Sequence, residues 1–172
     1  MATTAELTPA QLEEVRALMV VAFEDKFTEE DWGNTLGGRH VIVSKDGVVV
    51  AHAALVERTL QAGGRRLRTG YVEGVATAPE HRHQSHGTLA MEPLNRIIAA
   101  EYELGGLSTG AQPFYERLGW ERWKGRTFVE APSGREPTPD DDDGVMVLRT
   151  DRTRDLDLTA DLVCDWRPGD VW

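Results

Sequence analysis

The segment YVEGVATAPEHRHQSHGT, residues 71–88, carries the pattern that decides the fold. Its first part predicts a strand that ends at Ala78-Pro79, and a helical apolar pattern follows from about Gly87 to Tyr102. Where a strand meets a helix N-terminus, several backbone N–H groups lack intrahelical partners, and the helix dipole adds partial positive charge. Such a turn can bind phosphate. An ordinary connecting loop is the alternative, because neither G-x-G-x-x-G nor a P-loop is present.

The segments before residue 71 predict two helices followed by strands. Apolar residues at helical spacing after Thr8-Pro9 predict an amphipathic helix, and Thr28 with Asp31 resembles the capping box of a short second helix. Val- and Ala-rich runs predict strands at 40–44, 48–60 and 67–77. Tight turns at 45–47 and 62–64 separate these strands, so we expect an antiparallel meander.

The segments after residue 102 predict short elements around one loop. We expect a strand near 107–108, a helix over 112–118, strands at 120–129, 145–148 and 158–164, and a low-complexity loop over 131–144. The whole order predicts a mixed α/β fold, with α and β elements combined around one mixed sheet.

Composition bounds the class of protein. With 172 residues and 40% hydrophobic residues, the chain is long enough for one domain over 1–172 with its own core. The formal net charge is −10, which disfavours nucleic acid as a partner and favours cations. Cys164 is the only cysteine, so no internal disulfide can form. No apolar run is long enough to span a membrane and the N-terminus has no leader pattern, so we expect a cytoplasmic protein with no membrane partner.

Several stretches carry a resemblance to a known family. RHQSHG, residues 82–87, resembles the Q/R-x-x-G-x-G/A pyrophosphate loop of the GNAT superfamily of acyl-CoA-dependent N-acyltransferases, with Ser85 at the first glycine position. The chain as a whole, from about Leu12 to Trp172, resembles the aminoglycoside 2'-N-acetyltransferases. The stretches that carry this resemblance are Gly37-Gly38, AHAALV (51–56), LRTGYVEGVA (67–76), YERLGW (115–120), TPDDD (138–142) and CDWRPGDVW (164–172).

The resemblance implies a GNAT fold, transfer of acetyl from acetyl-CoA to the 2'-amine of aminoglycosides such as tobramycin, antibiotic resistance, and a homodimer. It implies that acetyl-CoA is held by the end of the central strand and by the loop that follows it. These residues are Gly74, Val75, Ala76, Thr77, Arg82, His83, Gln84, Ser85, His86, Gly87 and Thr88. No metal is expected, because His81, His83 and His86 have no carboxylate or cysteine partner at suitable spacing.

The reaction needs a base, an oxyanion donor and an acid. An ammonium must lose a proton before it attacks a thioester, and Glu73 is the candidate base, with an exposed charge on a strand as the alternative. The resemblance implies that backbone N–H groups of residues 74–76 stabilise the oxyanion and that Tyr115 protonates the leaving thiolate. Core packing beside Phe114 is the alternative for Tyr115.

A polycationic substrate also needs carboxylates. Ten acidic residues and four arginines lie between Thr138 and Trp172, so that region is strongly negative, although a run of aspartates is commonly a solvated loop. We expect Asp143 to be the preferred ligand of the run and Asp142 the next. The full predicted substrate set is Asp31, Glu73, Gly74, Ser108, Asp142, Asp143, Asp170 and Trp172, the last through its carboxylate.

Two other functions remain open. The protein could be a GNAT enzyme that acetylates another cationic amine, such as a polyamine or a cell-wall amino sugar. It could also be a non-catalytic module that binds acyl-CoA or aminoglycoside, since Ser85 replaces a glycine of the loop. Thiol release from acetyl-CoA distinguishes the module from either enzyme, and kcat/KM across amines distinguishes the two enzymes.

Overall fold

The computed structural model describes residues 1–24 and 26–172. The helices in these residues are α1 Pro9–Ala22, α2 Glu29–Thr35, α3 His86–Glu101 and α4 Gln112–Glu116. The strands are β1 Ala2–Thr3, β2 Arg39–Lys45, β3 Val48–Ala62, β4 Arg65–Thr77, β5 Leu104–Ser108, β6 Glu121–Arg122, β7 Thr127–Ala131, β8 Gly134–Pro137, β9 Val145–Arg149 and β10 Leu162–Asp165. The predicted mixed α/β class is therefore confirmed. None of the helices in the described residues is long and apolar enough to cross a membrane.

The chain forms two compact units, and β3, β4 and α3 each contribute residues to both. The first unit contains residues 1–56 and 72–94, and the second contains residues 57–71 and 95–172. In the first unit, β1 pairs with β2 and β2 with β3, both antiparallel. In the second unit, the strand order is β6-β9-β5-β4-β3-β10-β7-β8, with β4/β5 and β7/β10 parallel.

Helix α1 covers the core of the first unit. Thr8 accepts a hydrogen bond from the Gln11 amide as N-cap, and Pro9 occupies the first helical position, which fixes the start of the helix. Its buried side chains Val15, Leu18 and Met19 pack in one cluster with Ala76 and Ala78 from β4 and the residue after it. The predicted amphipathic helix is confirmed.

Gly47 and Gly38 each meet a steric requirement of the first unit. Asp46 and Gly47 both have positive φ, 52° and 82°, as a two-residue hairpin between β2 and β3 requires. A Cβ on Gly38 would lie 2.0 Å from the carbonyl oxygen of Leu55, so only glycine allows this approach of the two backbones. The predicted meander is confirmed, since β2, β3 and β4 are neighbours in chain order.

The prediction of one strand over 120–129 was wrong, because the structure has two strands there, β6 and β7, with residues 123–126 between them. β6 pairs with β9, whereas β7 pairs with β10, so the chain changes partner between them. Trp123 marks the change, because its Nε1 donates to the carbonyl oxygen of Ala160 at 2.9 Å. A Cβ on Gly125 would lie 1.9 Å from the same oxygen, so glycine is required there.

The loop predicted over 131–144 was also wrong. β8 lies within it and pairs antiparallel with β7, with Glu130 opposite Arg135, and a 3-10 turn at Pro139–Asp141 follows. Residues 132–133 form the turn between β7 and β8, and residues 138–144 follow β8 outside the strands. The segment 138–144, which we call the acidic loop, contains Asp140, Asp141, Asp142 and Asp143.

Candidate active site

The first unit contains the loop predicted to bind the diphosphate. After β4 the chain makes a 3-10 turn at Pro79–His81, and α3 begins at His86. His83 and Ser85 adopt left-handed conformations, with φ of 61° and 65°. Arg82 donates to the carbonyl oxygen of Ala22 at 3.2 Å, and Gln84 donates to that of Glu80 at 3.1 Å. These two side-chain bonds hold the loop in place.

Strand β4 has an irregular backbone at Gly74, three residues before it ends. Its φ is 54°, and a Cβ there would lie 2.9 Å from Met19 Cε and 3.1 Å from Thr35 Oγ1, so a side chain is excluded on two grounds. The alternation of buried and exposed residues that is usual in a strand is absent here, because Val72 is buried while residues 73–75 are all half-buried. A left-handed residue inside a strand redirects the neighbouring N–H groups and side chains. Glu73 directly precedes this irregularity.

Asp31, which the sequence predicts as a substrate ligand and as part of a capping box, caps helix α2. Its Oδ2 accepts from the Thr28 amide at 2.9 Å, and the Thr28 hydroxyl accepts from the Asp31 amide at 3.2 Å, which completes the predicted capping box of α2. Asp31 is half-buried, and its Oδ2 is used by the cap of α2.

The second unit contains Tyr115, on the short helix α4. Its ring makes edge contacts with Phe114, centroid to centroid 4.9 Å, and Trp120, 6.2 Å. Burial raises the pKa of the phenol well above its ordinary value, against a smaller opposing effect of a hydrogen bond with Thr109. The phenol therefore stays neutral and retains a proton that it can donate.

Two neighbouring aspartates of the acidic loop differ in their contacts, since Asp142 is hydrogen-bonded and Asp143 is exposed. Asp142 Oδ1 accepts from the Thr127 amide at 2.7 Å, and the Thr127 hydroxyl lies 2.8 Å from the same oxygen. The Asp143 side chain is exposed, and its main-chain oxygen accepts from Gln112 Nε2 at 2.9 Å. Ser108 is exposed at the end of β5, where its Oγ faces Gly144.

The C-terminal segment lies against the acidic loop within the second unit. Trp172 is only 3% exposed, and its Nε1 donates to the Thr138 hydroxyl at 2.9 Å. Its backbone amide donates to Asp170 Oδ1 at 3.1 Å. Arg167 donates to the main-chain oxygens of both Asp170 and Trp172, at 2.7 and 3.1 Å, so a cation offsets part of the negative charge.

Asp141 is a candidate residue that the sequence did not single out from its run. Partial burial raises its pKa to about 6, and repulsion from Asp170, Asp140 and Asp142 adds to the effect. Asp170 is 29 residues away in the chain, so its influence on Asp141 could not be inferred from the spacing of the run. These carboxylates form an electrostatically coupled group that favours binding of a cation.

Among residues 1–24 and 26–172, no three His, Cys, Asp or Glu side chains are grouped as metal ligands. His81 and His86 contact each other edge to face, with ring centroids 5.7 Å apart.

Comparisons with known proteins identify the family. The model of the acetyltransferase (GNAT) domain matches residues 3–123. The chain therefore belongs to the GNAT family of acetyltransferases. It is 39% identical, over 98% of its own length and 89% of the relative's, to a protein of Mycolicibacterium fortuitum named aminoglycoside 2'-N-acetyltransferase.

Solved structures agree on the fold. The GNAT family N-acetyltransferase YhbS of Escherichia coli, solved in complex with CoA, has a TM-score of 0.63 at 17% identity and covers 92% of this chain and 86% of its own. The GCN5-related N-acetyltransferase of Kribbella flavida has a TM-score of 0.59 at 26% identity over 70% of this chain. The present chain covers 33% of the length of the Kribbella protein.

Proposed function

We propose that this protein is an aminoglycoside 2'-N-acetyltransferase, formed by a single domain over residues 1–172. The observation that carries the proposal is the 39% identity, over nearly the whole chain, to the M. fortuitum enzyme of that name. The coupled carboxylates of Asp140, Asp141, Asp142 and Asp170 support a substrate with several ammonium groups, because opposite charges in a partly buried group attract strongly. Acetylation would then confer resistance to the drug.

Acetyl-CoA is the proposed donor, held through the end of β4 and the loop 82–88. The left-handed conformations of His83 and Ser85 support this role, because they turn successive main-chain groups at the start of α3. The related fold of YhbS, which was solved with CoA, agrees with it. Since acetyl-CoA is made in the cytoplasm, we propose that the enzyme acts there. A homodimer is also proposed from the family resemblance, and sedimentation of the purified protein tests it.

Glu73 is the proposed base and Tyr115 the proposed acid. In the proposed reaction, Glu73 takes a proton from the 2'-ammonium, and the freed amine nitrogen attacks the thioester carbon. The C–N bond forms while the C–S bond breaks, and the departing thiolate takes the phenol proton of Tyr115. The second proton that the nitrogen loses as it becomes an amide returns Tyr115 to its neutral form. Burial raises the pKa of Tyr115, so the phenol is protonated at neutral pH and its proton is present for the last step.

The test of function is release of free thiol from acetyl-CoA. Tobramycin, which has a 2'-amine, should be turned over, and kanamycin A, which has a 2'-hydroxyl there, should be inert. Equal turnover of both compounds would contradict the regiochemistry, and turnover of polyamines alone would favour another cationic substrate. Thermal stabilisation by acetyl-CoA without any thiol release would indicate a binding module.

The test of mechanism uses two conservative variants. Glu73→Gln should lower kcat and remove the acidic limb of the pH profile, and Tyr115→Phe should lower kcat with little change in KM. An unchanged pH profile in Glu73→Gln would make Glu73 a binding group instead of the base.

A further inference from the structure

Two buried histidines of the first unit lie in a line that ends at the irregularity in β4. His40 and His52 are both fully buried. The Thr4 hydroxyl lies 2.7 Å from His40 Nε2, His40 Nδ1 lies 2.9 Å from His52 Nε2, and His52 Nδ1 lies 2.8 Å from the carbonyl oxygen of Gly74. The line thus connects the segment before α1 with β2, β3 and β4.

The positions of the protons along this line follow from chemistry. A carbonyl oxygen only accepts, so His52 Nδ1 carries a proton and donates to Gly74. Burial lowers the pKa of both imidazoles, that of His52 to about 4, so both rings are neutral at neutral pH. Nε2 of a neutral His52 then has a free lone pair and accepts from His40 Nδ1–H.

The same reasoning determines the outer half of the line. His40 Nε2 is then the acceptor, so the Thr4 hydroxyl donates to it at 2.7 Å in preference to the Gly38 carbonyl oxygen at 3.4 Å. The Thr4 oxygen in turn accepts from the Gly37 amide at 2.9 Å. Every donor points towards Gly74, and hydrogen bonds aligned in one direction polarise one another.

The last bond acts on a peptide group next to the proposed catalytic residue. The Gly74 carbonyl and the Val75 N–H belong to the same peptide unit, which is planar, so fixing the oxygen also fixes the direction of the N–H. Gly74 has a left-handed backbone, with a φ of 54°. Donation into the carbonyl also makes the N–H of that peptide a stronger donor, because the amide is polarised.

We propose that His52, held by His40 and Thr4, is a positioning residue that orients and polarises the Gly74–Val75 peptide towards the thioester carbonyl. This inference rests on the proposed acetyl transfer, in which the N–H groups of residues 74–76 stabilise the oxyanion. The bond at Gly74 also fixes the chain directly after Glu73. His52 touches no substrate and takes no proton in the reaction.

Three substitutions of His52 distinguish the hydrogen bond at Nδ1, to Gly74, from the one at Nε2, to His40. In His52→Asn the side-chain amide takes the position of Nδ1 and can still donate to Gly74. In His52→Gln it takes the position of Nε2, so it can contact His40 but does not reach Gly74. His52→Leu fills the space with neither bond. The melting temperature and the Kd for CoA of each variant serve as folding controls.

We expect His52→Gln and His52→Leu to lower kcat by about tenfold or more. This loss should be smaller than the loss on removing a direct oxyanion donor. KM for both substrates should stay within about twofold of the unmodified protein. His52→Asn should retain kcat within about threefold, because the bond to Gly74 is kept. Equal kcat losses in the asparagine and glutamine variants, or losses that parallel their melting temperatures, would overturn the proposal.

A spectroscopic measurement on the unmodified protein does not depend on variants or substrate. Nitrogen NMR of protein labelled in histidine should show His52 as the Nδ1–H tautomer at neutral pH, with Nε2 unprotonated. The opposite tautomer would overturn the proposal even if aminoglycosides are acetylated. If the protein instead acetylates a different amine, the proposed substrate fails, while the tautomer and the kcat comparison, made with that amine, still test the role of His52.

Discussion

Asp142 Oδ1 accepts a hydrogen bond of 2.7 Å from the backbone amide of Thr127, across 15 residues of chain. The Thr127 side chain is buried and its hydroxyl lies 2.8 Å from the same carboxylate oxygen. This carboxylate therefore fixes the acidic loop to the first residue of β7. Asp143, the next residue, is exposed. We therefore expect Asp142 to stabilise the loop and Asp143 to be available to a ligand, although both belong to one run of aspartates.

Substitution of these neighbours should separate stability from binding. Asp142→Ala should lower the free energy of unfolding by about 2 kcal/mol, because it removes a charged acceptor from a buried donor. Asp142→Asn should cost less, because its amide oxygen can still accept. Asp143→Ala should leave stability unchanged and raise KM for tobramycin. Urea denaturation and steady-state kinetics measure the two effects, and a large stability loss in Asp143→Ala would contradict this division.

The affinity for a polycation should depend on the charge of Asp141. Since the pKa of Asp141 is raised to about 6, the group is ionised at neutral pH and becomes protonated as the pH falls through that value. Aminoglycoside binding should therefore weaken below about pH 6 and should release protons near that pH. Calorimetry in buffers of different ionisation enthalpy measures both effects.

The control for this prediction is a pair of charge-removing variants. Asp141→Asn should remove the pH-dependent step, whereas Asp140→Asn, at an exposed position, should weaken binding but keep the step. The raised pKa also costs stability at neutral pH, so Asp141→Asn should stabilise the fold by about 1 kcal/mol after allowance for solvent screening. Identical pH profiles in the two variants would refute the role of Asp141.

The buried histidines should make the fold sensitive to acid. The pKa of His52 is lowered from 6.5 to about 4 and that of His40 is also lowered, in both cases because burial disfavours the charged form. The unfolded chain therefore binds more protons between about pH 6.5 and pH 4, and stability falls as the pH decreases across that range. His52 alone should account for about 3 kcal/mol.

Denaturation at several pH values checks this dependence. His52→Asn should flatten the curve between neutral pH and about pH 4, since one titrating group is removed. The same slope in the variant and the unmodified protein would mean that other groups cause the acid sensitivity.

Ser85 should store backbone strain in the diphosphate loop. Its φ of 65° is a left-handed conformation that costs a non-glycine residue about 1–2 kcal/mol. Ser85→Gly should therefore be stabilising by up to about 1 kcal/mol, because added freedom in the unfolded chain offsets part of the gain. It should also lower KM for acetyl-CoA. Ser85→Ala, which keeps the strain and loses the hydroxyl, is the control, and equal melting temperatures for both variants would contradict the prediction.

The sequence predicts well what depends on local pattern. The helix after Thr8-Pro9, the capping box at Thr28 and the turn at Asp46-Gly47 each follow from residues adjacent in the chain, and each is present. β8 was missed because its Gly, Arg, Glu and Pro residues have low strand propensity, and it exists through its pairing with β7.

The missed site features depend on contacts between distant residues. The anchor at Asp142 requires β7 to be in place, and the pKa of Asp141 is raised by partial burial and, in addition, by Asp170 from a distant part of the chain. His40 and His52 are single histidines in apolar strands, and only the register that sets Ile42 opposite His52 brings the two imidazoles together. No periodicity or motif in the sequence carries that information.

The position of the transferred acetyl group is the most direct test of the proposed reaction. Purified protein should be incubated with acetyl-CoA and tobramycin, and the product analysed by mass spectrometry and two-dimensional NMR. The expected product carries one acetyl group, bonded to the 2'-nitrogen, and one free CoA thiol is released for each. Acetyl on any other nitrogen, or recovery of unmodified tobramycin together with intact acetyl-CoA, would contradict the proposed function.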